Sequence, residues 1–110
     1  MKKVRAFLPP TEQAAAALGA QIAAARKELG WTQSQLAERL GTTRHLVSRV
    51  ESGSTSPSLG IVLEAAILCG VLLFGRERDE LRSFALSQQD RAALLPARVR
   101  HRPVEIPNDF

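Results

Sequence analysis

Groups that commonly carry acid–base, nucleophilic or metal chemistry are sparse in this 110-residue chain. The two histidines are His45 and His101, and the one cysteine, Cys69, sits in an apolar run where a buried, inert thiol is the default. No nucleophile, base and orienting acid fall into a working pattern, and a single cysteine supports neither a disulfide framework nor a cysteine-rich zinc site. No enzyme activity, metal or cofactor is expected. A different chemistry is spaced for use. Arg44 and His45 open a short helical stretch, with Ser48 one turn after Arg44 and Arg49 one turn after His45. A guanidinium can meet O6 and N7 of a guanine with two parallel hydrogen bonds, so these side chains can read base edges in a DNA major groove. For Arg44 and Arg49 a phosphate contact is the competing role.

Those side chains need helices to hold them, and the punctuation for helices is present. Gly30, Gly41, Gly53 and Gly70 each follow a helical stretch, where a left-handed residue ends the helix. Thr32 opens a Thr-Gln-Ser-Gln capping box with Gln35, Thr43 caps the next helix, and Ser58 the one after Pro57. These signals predict helices over about Glu12–Leu29, Gln33–Leu40, Arg44–Ser52 and Leu59–Cys69. A fifth is expected over Glu77–Leu86, and a short extra one from a Ser87 capping box to just before Pro96. The first is expected to begin after the Pro9-Pro10 breaker, with Thr11 as cap. Its front is expected to fray, because Gly19 costs ~1 kcal/mol relative to alanine. The inward positions are Leu18, Ile22, Ala25 and Leu29, then Leu36, Ala37 and Leu40, then Leu46, Val47 and Val50. Later Leu81, Phe84 and Ala85 point inward.

From Gln33 to Glu51 the chain reads QSQLAERLGTTRHLVSRVE. Two short helices joined by a tight turn need a small residue where they cross, glycine at the turn, and apolar residues to fix the crossing. Ala37, Gly41, and the set Leu36, Leu40, Val47 and Val50 fill those positions. Trp31 is expected to anchor the end of the first helix in the core.

Composition agrees. Alanine and leucine dominate, with four Phe, one Trp and no Tyr, which favours an all-α fold. The net charge of +4 is confined to the ends: Lys2, Lys3 and Arg5 at the start, Arg98, Arg100 and Arg102 near the finish. Between them nine basic side chains meet nine acidic ones. Basic ends suit phosphate contacts and serve equally as solvated termini. No signal peptide is evident and no apolar run is long enough for a bilayer, so a cytoplasmic protein without membrane contact is expected. The fourth helix is apolar nearly all round: Leu59, Val62, Leu63, Ala66 and Ile67 fill one stripe, and Ile61, Ala65 and Leu68 the other side. It must be covered twice. The second cover is another subunit, with Ile61, Ala65, Leu68 and Leu72 at a homodimer interface, or else the C-terminal region folded back. The expected organisation is a basic arm over 1–10, a DNA-binding domain over 11–75, a helical extension over 76–96, and a flexible tail over 97–110.

The stretch from Leu18 to about Leu73, with RKELGWTQSQLAERLGTTRHLVSRVESGSTSPSL at its centre, resembles the helix-turn-helix domain of the Cro/phage-repressor (XRE) superfamily. That resemblance implies a five-helix domain binding a palindromic operator as a dimer. It implies base contacts for Arg44, His45 and Ser48 with Arg49 beside them, and a phosphate contact at Gln33 flanked by the caps Thr32 and Thr43. It also implies an internal salt bridge between Arg26 and Glu51. Thr42 departs from the pattern, since an apolar residue is commoner there. The C-terminal third, with LLFG and ALLPARVRHRPVEIPNDF, resembles HipB-like antitoxins of HipA-type kinase toxins. That second likeness implies an autorepressor that also holds a toxin kinase, the tail being the candidate contact. A stand-alone phage-type or mobile-element repressor is the alternative. A protein-interaction adaptor is disfavoured by the basic third helix.

Overall fold

The computed structural model describes residues 6–98. The basic start at Lys2, Lys3 and Arg5, and the expected tail from 99 onward with His101, lie outside the described residues. Among the described residues five α-helices follow one another: α1 (Pro9–Glu28), α2 (Gln33–Leu40), α3 (Arg44–Glu51), α4 (Leu59–Cys69) and α5 (Leu81–Leu94), with a 3-10 turn at Arg78–Glu80 before the last. Among the described residues there is no strand, and no helix is long and apolar enough to cross a membrane. The chain divides into two units, Met1–Arg78 and Asp79–Phe110.

In the first unit α2 packs on α3, and α1 and α4 close around them. Ile22, Leu36 and Val47 are fully enclosed, joined by Ala37, Val50, Ala65, Ala66 and Cys69. Leu18, Ala25, Trp31 and Leu40 pack against this core, but Leu29, expected inward, is 49 % exposed. The expected caps form. The Thr32 hydroxyl accepts from the Gln35 amide at 3.0 Å while the Gln35 side chain accepts from the Thr32 amide at 2.8 Å. Thr43 and Ser58 cap α3 and α4 by the hydroxyl bond alone, accepting from the amides of Leu46 and Ile61.

Helix α1 starts earlier than expected. Leu8 occupies the cap position without a side-chain bond, and Pro9 and Pro10 form the first turn, not a break before it. Proline lacks only a donor that has no helical partner at that position, and its fixed φ suits a helix start. The front does not fray out of the helix at Gly19 either. A Cβ at Gly19 would stand 2.4 Å from the Val50 carbonyl oxygen and 2.8 Å from that of Glu51. The glycine lets the backbones of α1 and α3 touch, and Gly53, at φ +83°, comes equally close to Ala16.

Helix α4 is turned differently from expectation. Ala65 is 1 % exposed, in the core with Ala66 and Cys69, and Ile61 and Leu68 pack against it. Of the four expected interface residues only Leu72, 51 % exposed, points outward. The outer stripe is instead Leu59, 73 % exposed, with half-buried Leu63 and Ile67 at successive turns. A helix without a polar face does not declare which side is inward; the small Ala65 and Ala66 decide it by allowing close approach. After Val71, a tight turn bonds the Arg76 amide to the Leu73 carbonyl at 3.0 Å, with Phe74 and Gly75 both at positive φ.

In the second unit α5 is one continuous helix, where two were expected. The Ser87 hydroxyl donates back to the Phe84 carbonyl at 2.8 Å and does not cap a new helix. Leu81 and Phe84 are half-buried and Ala85 is exposed.

Candidate nucleic-acid interface

Helix α3 divides its side chains by direction. At about 100° per residue, Arg44, Ser48, His45 and Arg49 fall in that order within an arc of about 140°. All four are exposed. Val47 and Val50 occupy the other side and are 1 % and 4 % exposed, with Leu46 half-buried beside them. Burial of that apolar side against α1 and α2 therefore points the basic arc outward.

A buried ion pair fixes the far end of the helix. The Arg26 Nε and Nη2 donate to the two carboxylate oxygens of Glu51 at 2.6 and 3.0 Å, and Nη1 donates to the Trp31 carbonyl at 2.7 Å. The two side chains are only 8 % and 7 % exposed. Burial pushes the Glu51 carboxyl up, but hydrogen bonds from Arg26 and Gln33, with the Arg26 charge, outweigh it and hold the group below its ordinary value. The bond to Glu51 raises the Arg26 pKa in turn, more than burial lowers it. The expected pair is formed. Trp31 is a half-buried anchor, and the Arg39 guanidinium lies 4.2 Å from its ring centroid.

Gln33 is placed otherwise than its expected phosphate role suggests. Its Nε2 donates to Glu51 Oε1 at 3.0 Å, so the side chain is turned onto the ion pair. A buried carboxylate is the stronger acceptor within its reach. The backbone amides of Gln33 and Ser34 remain the unpaired opening of α2, where the helix dipole favours an anion. The hydroxyls of Thr32 and Thr43 accept amides of their own helices, yet each keeps a hydrogen that can be donated outward.

Residues 17–81 match the profile of a helix-turn-helix domain family. The chain belongs to that family. Over 34 residues it is also 59 % identical to an uncharacterized HTH-type transcriptional regulator of Methanothermobacter thermautotrophicus, a match covering 31 % of this chain and 49 % of that protein. The chain thus spans about half the length of that curated relative.

Sequence reasoning does not reach three side-chain contacts in and after the helix-turn-helix. Besides the Gln33–Glu51 bond, Arg49 Nη2 donates to the Ser56 hydroxyl in the loop after α3, and the Ser54 and Ser56 hydroxyls lie 2.8 Å apart. The run Ser52-Gly-Ser-Thr-Ser-Pro-Ser58 was a readable signal, since so many hydroxyls after a basic helix supply donors.

Proposed function

We propose that this chain is a sequence-specific DNA-binding transcriptional regulator of the Cro/phage-repressor (XRE) type, with Arg44, His45 and Ser48 reading bases from the major groove. The observation that carries this is the outward basic arc of α3, held by the buried Arg26–Glu51 pair. The name of the Methanothermobacter thermautotrophicus relative, an uncharacterized HTH-type transcriptional regulator, supports it. In helix-turn-helix proteins the second helix enters the groove with its N-terminal residues foremost, where Arg44 and His45 stand.

The working species in this reading is a homodimer on a palindrome with half-sites ~34 Å apart. Selection of the full chain against randomised duplexes tests it. A palindromic consensus is expected, and Arg44→Ala should lose ~1–3 kcal/mol and relax preference at one base pair per half-site. If the wild-type chain enriches no sequence, the reading fails. If Arg44→Ala keeps full preference, Arg44 belongs to the phosphates.

The finer role is antitoxin and autorepressor, with a HipA-like kinase toxin as second partner. It is supported by the likeness of ALLPARVRHRPVEIPNDF to HipB-like tails, with Val104, Ile106 and Phe110 as apolar anchors for the toxin. A stand-alone repressor would use Arg98, Arg100 and Arg102 for phosphates alone. Removing 97–110 separates the two roles. An antitoxin should lose affinity for the product of the neighbouring gene while keeping operator preference. A stand-alone repressor should lose only salt slope, by about one unit per phosphate contact.

A further inference from the structure

We propose that Arg49, Ser54 and Ser56 grip one backbone phosphate of bound DNA, so that Arg49 does not read bases. The inference rests on the DNA-binding reading above.

Arg49 stands at the edge of the outward arc, about 140° round the helix from Arg44. Its guanidinium does not extend from the tip of α3. It is drawn sideways onto the Ser56 hydroxyl, seven residues on in the loop to α4. The loop is built to present that hydroxyl. Gly53 turns the chain at φ +83°, and the Ser54 amide then donates to the Arg49 carbonyl at 3.1 Å. The Ser56 amide donates to Ser54 Oγ at 3.2 Å, and the two hydroxyl oxygens lie 2.8 Å apart. When Ser54 donates in that contact, the Ser56 oxygen accepts from both Ser54 and Arg49, and its own hydrogen stays available for donation.

The charge balance says what this cluster would take. Segment 52–58 contains no acidic residue. The nearest carboxylate in sequence, Glu51, already accepts from Arg26 and Gln33. Among the described residues no acidic group pairs with Arg49. A guanidinium has five N–H donors, and the one spent on Ser56 leaves the others for an anion. A tetrahedral phosphate offers oxygens to a guanidinium and a neighbouring hydroxyl at once. A flat guanine edge offers two acceptors in one plane, which the guanidinium alone would fill, leaving the Ser56 hydroxyl no part in the contact. Phosphates line both edges of the groove that α3 would enter.

The test uses the full chain, the consensus duplex selected above and a mixed-sequence duplex, each titrated over a salt series. Arg49→Ala should weaken binding to both duplexes and reduce the salt slope by about one unit per chain, leaving the base-preference profile unchanged. Arg49→Lys keeps the charge and should restore most of the slope. The Ser54→Ala/Ser56→Ala double variant should bind every sequence about two- to tenfold more weakly with the slope preserved, because it removes neutral donors only. Relaxed preference at a base pair in Arg49→Ala would overturn the clamp, as would an unchanged salt slope. A wild-type chain with no salt-sensitive affinity for duplex DNA would overturn the DNA-binding reading itself, an outcome distinct from those two.

Discussion

Nε2 of Gln33, the first residue of α2, lies 3.0 Å from Oε1 of Glu51, the last residue of α3. Arg26 of α1 meets the same carboxylate through Nε and Nη2, so three helices converge on one buried acidic group. The two helices of the motif cannot rotate independently without breaking the Gln33 bond.

Removing one member of the pair should strand a buried charge. Arg26→Ala or Glu51→Ala is expected to cost ~3–5 kcal/mol, whereas Arg26→Met/Glu51→Leu together should melt much nearer the parent. Thermal melts of the three variants decide it. Single variants that melt with the parent would show that the pair adds no stability.

The depressed Glu51 carboxyl also sets an acid limb. A carboxyl held lower in the folded chain than in the unfolded one contributes stability that is complete above the ordinary carboxylate range. That stability is lost as pH falls from near 4 through the folded value. Glu51→Gln should start less stable at pH 7 and lose less on acidification. Urea midpoints between pH 7 and pH 2.5 measure the two slopes, and parallel slopes would assign the limb to other groups.

Two glycines in helices should respond oppositely to alanine. Gly60, in the first turns of α4, has nothing within 4 Å of an added Cβ, and Gly60→Ala should stabilise by roughly 0.5–1 kcal/mol. Gly19→Ala should destabilise despite the same propensity gain, because its Cβ would sit 2.4 Å from the Val50 oxygen. A Gly19→Ala chain as stable as the parent would mean that α1 and α3 separate at little cost.

The outer stripe of α4 predicts how copies associate. Sedimentation at micromolar concentration should find a dimer, and Leu63→Asp should give a monomer with an unchanged fold, since Leu63 lies outside the core cluster. A wild-type monomer at that concentration would remove this surface from consideration.

What could be read from the sequence was what is local or carried by a motif. Thr32 with Gln35, Thr43 and Ser58 announce helix starts because their partners lie within three residues. Arg26 and Glu51 are far apart in sequence, and only the family resemblance pairs them. The facing of α4 was not readable, since Ile61, Leu63, Ile67 and Leu68 are equally apolar and nothing along the helix says which lie over the core. Pro9-Pro10 misled because a proline that stops one helix also starts the next. The placement of the Gln33 and Arg49 side chains depends on acceptors 18 and 7 residues away, which only the folded chain brings near.

The contacts at Gly19 and Gly53 have a consequence for descent. They seat α3 with backbone against backbone, so its position owes little to the side chains at 44, 45 and 48. A duplicated copy of such a gene could exchange all three and keep its fold. With those three reading bases, as proposed, new targets would be reached by single steps through folded intermediates. Lineages should differ freely at Arg44, His45 and Ser48, while any side chain larger than hydrogen at Gly19 would have to be accompanied by a displaced α1.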